Sequence, residues 1–87
     1  MLFRSYAEAQ QGFNRYLQDY PQGKYSGNVN YWLGEIALIQ KRYPQAESAF
    51  TAVINKYQAS GKAADARYKL AITHLKMGQS EIGRAHV

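Results

Sequence analysis

The residues of this chain repeat at an offset of 37, and no other feature restricts its fold as much. Tyr6, Ala9, Phe13, Leu17 and Tyr20 recur as Tyr43, Ala46, Phe50, Ile54 and Tyr57 (43 − 6 = 57 − 20 = 37). At the same offset Asn28 aligns with Asp65, Val29 with Ala66, Tyr31 with Tyr68, Leu33 with Leu70, Gly34 with Ala71 and Leu38 with Leu75. Within each copy the apolar positions keep the three-and-four spacing of one helical face. A helical pattern recurring at such a period predicts a helical solenoid, in which stacked neighbours bury one continuous core. Solenoids of this kind mostly hold other proteins, so the expected role is binding rather than catalysis.

Four helices can be drawn, giving an all-α chain. The first, about Tyr6 to Tyr20, carries Ala9, Phe13, Tyr16, Leu17 and Tyr20 on one face and stops at Pro21, which cannot donate to the helix ladder. The second, about Gly27 to Gln40, is expected to bury Val29, Leu33, Ile36 and Ala37, with Trp32 also in the core. A basic turn at Lys41-Arg42 leads into a third helix, Pro44 to Tyr57, whose proline suits a first turn. Its stripe is Ala46, Ala49, Phe50, Val53, Ile54 and Tyr57. The fourth, Ala63 to Met77, presents Ala66, Leu70, His74 and Met77, and Gly78 reads as its stop. The short connections require neighbouring helices to run antiparallel.

Composition removes several classes. No cysteine is present, so disulfides and thiolate metal sites are excluded. The net charge of +5 is spread along the chain, with Lys41-Arg42 the one adjacent basic pair. A nucleic-acid partner would want a basic stripe, and none is expected. No apolar run approaches the ~20 residues that cross a bilayer, so no membrane insertion is expected. His74 is expected to pack or lie partly exposed. Glu35 and Asp65 have no nucleophile or metal-ligand spacing beside them. Neither an enzyme nor a cofactor or metal site is expected.

The two ends depart from the repeat. The codons ATC GGA AGA GCA CAC GTC would encode Ile82 to Val87, and CTC TTC CGA TCT after a GTG start would encode Leu2 to Ser5. Both strings resemble short-read sequencing adapters. Residues 1–5 and 81–87 are therefore expected to be foreign flanks around a repeat domain at 6–80. Other codons in the gene would remove that expectation. Without Arg4, Arg84 and Glu81 the charge changes from +5 to +4 (9 basic, 5 acidic), so the basic character stays.

Leu33-Gly34 followed by Ala46-x3-Phe50 resembles the tetratricopeptide repeat, with a Leu-Gly pair on helix A and Ala-x3-Phe on helix B. Gly34 and Ala46 would let the two helices cross closely, with Phe50 between them. The chain then reads B-A-B-A. Its period is three longer than the usual ~34, with the extra residues near Lys24 to Ser26.

Tyr20-Pro21-Gln22-Gly23-Lys24-Tyr25, Asn28 to Glu35, Lys62 to Ala66 and Lys69-Leu70 together resemble the C-terminal repeat domain of the cell division coordinator CpoB family, also called Tol-Pal system protein YbgF. Gln58 stands where that family usually has proline, and Ala71 where it has glycine. The resemblance implies a periplasmic protein of Gram-negative bacteria that associates with TolA and a peptidoglycan synthase. Its implied role is to coordinate wall synthesis with outer-membrane constriction. An outer-membrane assembly lipoprotein of the BamD type and a generic peptide-binding repeat scaffold are the alternatives.

In a B-A-B-A stack the A helices line the concave face. The expected partner-binding residues are Asn28, Tyr31, Glu35 and Leu38 on the second helix, and Asp65, Tyr68, Ile72, Leu75 and Lys76 on the fourth. Tyr31 and Tyr68 are expected to offer aromatic area to a protein or peptide, packing against the adjacent repeat being the alternative. A clamp for a peptide carboxylate is not expected, because Tyr31 and Glu35 occupy its positions. The faces carrying Phe13-Leu17 and Leu70-Met77 are expected to be uncovered and to drive self-association.

Overall fold

A computed structural model describes the backbone of residues 2–85 and the side chains of 5–79. It is all-α: α1 (Leu2–Asp19), α2 (Ser26–Ile39), α3 (Tyr43–Lys56) and α4 (Ala63–Ala85), with a 3₁₀ turn at Gln58–Ser60. The helix boundaries repeat as the sequence does. α1 and α3 end 37 residues apart (56 − 19), and α2 and α4 begin 37 apart (63 − 26). The side chains of both flanks, 1–5 and 81–87, fall outside the described set except for Ser5; α1 and α4 take in the backbones of 2–5 and 81–85.

Successive helices run antiparallel. The C-terminal end of α3 meets the N-terminal end of α2, where a β-carbon on Gly27 would lie 2.8 Å from Tyr57 Cβ. The middle of α4 meets early α3 through His74 and Glu47. α2 and α4 lie side by side, joined by Glu35 and Lys69. α3 packs on both of them, while α1 touches α2 alone among the described elements.

The core follows from α3. Ala46, Phe50 and Val53 on one of its faces are wholly excluded from water, and Tyr31, Ala37 and Ala66 close over them. Full burial of a ring such as Phe50 contributes about 1.5–3 kcal/mol. The core stripe of α4 is Ala66, Leu70, Thr73 and Met77, spaced by four, three and four, so the Leu70–Met77 face, expected to be uncovered, is turned to the core instead. Thr73 is fully buried because its hydroxyl donates back to the Lys69 carbonyl at 2.8 Å. His74, expected on this stripe, lies exposed beside it.

Turns are fixed by specific bonds. Ser26 Oγ accepts from the Gly23 N–H (2.7 Å) and donates to the Tyr20 carbonyl (2.5 Å), closing the loop before α2. After α2, the Arg42 N–H reaches the Ala37 carbonyl and the Lys41 N–H reaches Leu38. That pair of bonds is a Schellman stop, and Lys41 takes its left-handed position with φ 62°. The equivalent residue one repeat on is Gly78 (41 + 37). Gly78 does not end α4, contrary to the expectation, and the helix continues to Ala85. After Lys41 a proline follows at Pro44, whereas no proline follows Gly78, so nothing in the local chemistry forbids the next turn.

Candidate functional site

The outward face of α2 carries Asn28, Trp32, Glu35 and Ile39, at i, i+4, i+7 and i+11. Trp32 is 46% exposed and Ile39 56% exposed. The equivalent residues on α4 are Asp65, Lys69, Ile72 and Lys76, all exposed or half-buried. Lys69 Nζ donates to Glu35 Oε1 at 3.2 Å, so the two stripes abut. Lys62, just before α4, sets its ammonium 5.6 Å from the Trp32 ring centre and 5.2 Å from that of Tyr31. The result is a shallow face with an aromatic and two isoleucines among charges of both signs.

Electrostatics here are mutual. The hydrogen bond to Glu35 raises the Lys69 pKa, with burial opposing it. Burial raises the Tyr31 hydroxyl, the Glu35 carboxylate adds to this, and Lys69 partly offsets it. Both groups keep their protons at neutral pH.

Of the nine expected site residues, two pack against α3 instead and two lie at the edge of this face. Tyr31 is only 7% exposed and sits edge-on to Phe50, ring centres 5.7 Å apart. Leu38 packs against the same core. Both face α3, which covers that side of α2. Their equivalents Tyr68 and Leu75 are 67% and 62% exposed and lie within one helical turn of Asp65 and Ile72, toward the side of α4 that corresponds to the covered side of α2. The other five, Asn28, Glu35, Asp65, Ile72 and Lys76, do share the open face. Trp32, expected in the core, belongs to it too, together with Ile39, Lys62 and Lys69. Lys69 was the available signal: a lysine at the repeat position of Trp32 (32 + 37) marks a position that reaches water.

On the opposite side, α1 and α3 stand apart over α2 and leave a cleft of about 320 Å³. The carboxamides of Gln10, Asn14, Asn30 and Gln45 rim it, and Leu33 and Ala37 form its floor. Among the described residues no three His, Asp or Glu side chains come together to hold a metal. No described helix is long and apolar enough to cross a membrane.

Part of the chain is similar to a curated protein. Over 35 residues the chain is 46% identical to the cell division coordinator CpoB of Pseudomonas putida, both that of strain KT2440 and a second one from the species. Over that stretch the chain is CpoB-like. The stretch is 40% of this chain and spans 13% of the CpoB chain. No family model and no solved structure matches.

Proposed function

We propose that this chain is a non-enzymatic protein-binding module of the tetratricopeptide type, working as part of a CpoB-like coordinator of cell division. The observation that carries the reading is the face of α2 and α4, where Trp32, Ile39 and Ile72 lie exposed or half-buried among Lys62, Asp65 and Lys76. Aromatic area flanked by polar groups suits an extended or helical peptide: the ring supplies affinity and the charges set register. The CpoB likeness supports placing that binding in the periplasm of a Gram-negative bacterium, between wall synthesis and outer-membrane constriction. TolA and a peptidoglycan synthase are the partners to test.

Trp32 is the single tryptophan of the chain, so its fluorescence reports on this face alone. Titration with the purified periplasmic part of TolA, and separately with the synthase, should shift its emission. Trp32→Ala should weaken binding, followed by calorimetry, at least tenfold, as a central aromatic anchor does. No binding to either protein, or equal binding by Trp32→Ala, would overturn the reading.

A further inference from the structure

We infer that the cleft between α1 and α3 binds an extended, uncharged stretch of polypeptide by its main chain. The walls are α1 and α3 and the floor is α2, on the side away from Trp32 and Ile39. None of the residues lining the cleft is charged, although the chain carries 17 charged side chains (11 basic, 6 acidic). An ionic ligand would find no counter-charge there, so the occupant is neutral where it touches the cleft. No aromatic side chain lines it either, so a sugar would find no ring to stack on.

What the rim does offer is carboxamide: Gln10 and Asn14 from α1, Asn30 from α2 and Gln45 from α3. Asn30 donates to the Ser26 carbonyl at 3.1 Å, which holds the side chain in place and leaves its oxygen to accept. The other three make no side-chain hydrogen bond among the described residues. A carboxamide sets donor and acceptor side by side, as a peptide group does. A helix seated here would bury these groups unpaired, because its own N–H and C=O groups are bonded within it. An extended chain has both to spare.

The spacing agrees. Gln10 and Asn14 are four residues apart, a rise of about 6 Å along α1. Peptide groups on one edge of an extended chain recur every second residue, about 6.6 Å. The two carboxamides therefore meet alternate peptide groups. Leu33 and Ala37 give an apolar floor, and Ala49 on the α3 wall is small enough for a main chain to lie close. Small apolar side chains of the ligand would point to that floor and the alternate ones to water.

The test uses the unaltered chain and a capped hexapeptide of alternating threonine and alanine at millimolar concentration. A twin peptide carries methyl groups on alternate amide nitrogens, and chitotetraose serves as the sugar. The side-chain NH2 signals of the four carboxamides in ¹H–¹⁵N spectra should shift with the plain peptide, while the Trp32 indole signal on the other face stays in place. Asn14 and Gln45 are exposed, so Asn14→Ala and Gln45→Ala should fold normally and weaken binding about three- to tenfold each. Gln11→Ala, an exposed carboxamide outside the cleft, should bind as the unaltered chain does. No shift with the plain peptide would overturn the inference. So would equal binding of the methylated twin, tighter binding of chitotetraose, or full affinity in both cleft variants. Trp32→Ala should leave this binding unchanged whatever it does at the other face.

Discussion

The ring of Phe50 occupies the space that a side chain at Gly34 would need. A β-carbon there would meet Cε1, Cζ and Cδ1 of that ring at 2.5–2.8 Å. The ring has no room to retreat, since Phe50 is wholly buried among Ala46, Val53 and Tyr31.

Gly34→Ala therefore sets two effects against each other. Alanine improves helix propensity by about 1 kcal/mol, while overpacking a full core costs about 1–3 kcal/mol. With the ring enclosed, the packing cost wins. We expect a net loss of up to about 2 kcal/mol by urea denaturation. Gly12→Ala is the matched control, because nothing lies within 4 Å of a β-carbon at that position on α1. It should gain up to about 1 kcal/mol. A neutral Gly34→Ala beside a stabilised Gly12→Ala would show that the helices slide apart freely.

Lys41 holds a left-handed backbone that costs an L-residue about 1 kcal/mol or more. Its side chain is exposed. Lys41→Gly should relieve the strain, offset in part by the greater freedom of glycine in the unfolded chain. The midpoint of thermal unfolding should rise by a few degrees with unchanged cooperativity. A fall would mean that the lysine makes a compensating contact.

Tyr31 and Lys69 both hold their protons more tightly when folded than their ordinary values of 10.0 and 10.5. For a raised pKa, the folded state binds the extra proton only once the unfolded chain has begun to lose it. The stabilisation is thus complete below about pH 10 and is lost as pH rises through the folded values. Stability should fall through that alkaline range, and the double variant Tyr31→Phe with Lys69→Met should fall less. Identical alkaline limbs for the two proteins would count against this linkage.

Much of the fold was legible in the sequence because the repeat offset fixes helix ends as well as faces. Asp19 and Lys56 end equivalent helices, and Ser26 and Ala63 begin them. The facing of α2 was harder to read. Val29, Tyr31, Trp32, Leu33, Ile36, Ala37, Leu38 and Ile39 put apolar groups around nearly the whole helix, so no hydrophobic period selects one side. Tyr31 and Trp32 were consequently exchanged. Thr73 was missed for another reason: a hydroxyl satisfied by its own helix is as buriable as the isoleucine at position 36, and sequence does not show that bond in advance. Gly78 carries a strong stop signal that a glycine alone cannot enforce when the following residues tolerate helix.

The Tyr57 hydroxyl donates to the Pro21 carbonyl at 2.7 Å, tying the turn of one repeat to the turn of the one before it. Close by, Gly27 admits Ser60, whose Cβ would lie 2.5 Å from a β-carbon there. The hairpins are thus bound along one edge, like pages along a spine. Any splaying of α2 from α4 must pivot about that edge, with the Glu35–Lys69 pair as the first bond to part. Tyr20 occupies the same position as Tyr57, so a longer array of this sequence could be stitched at every turn, and the length of the tyrosine would then set the pitch of the spiral.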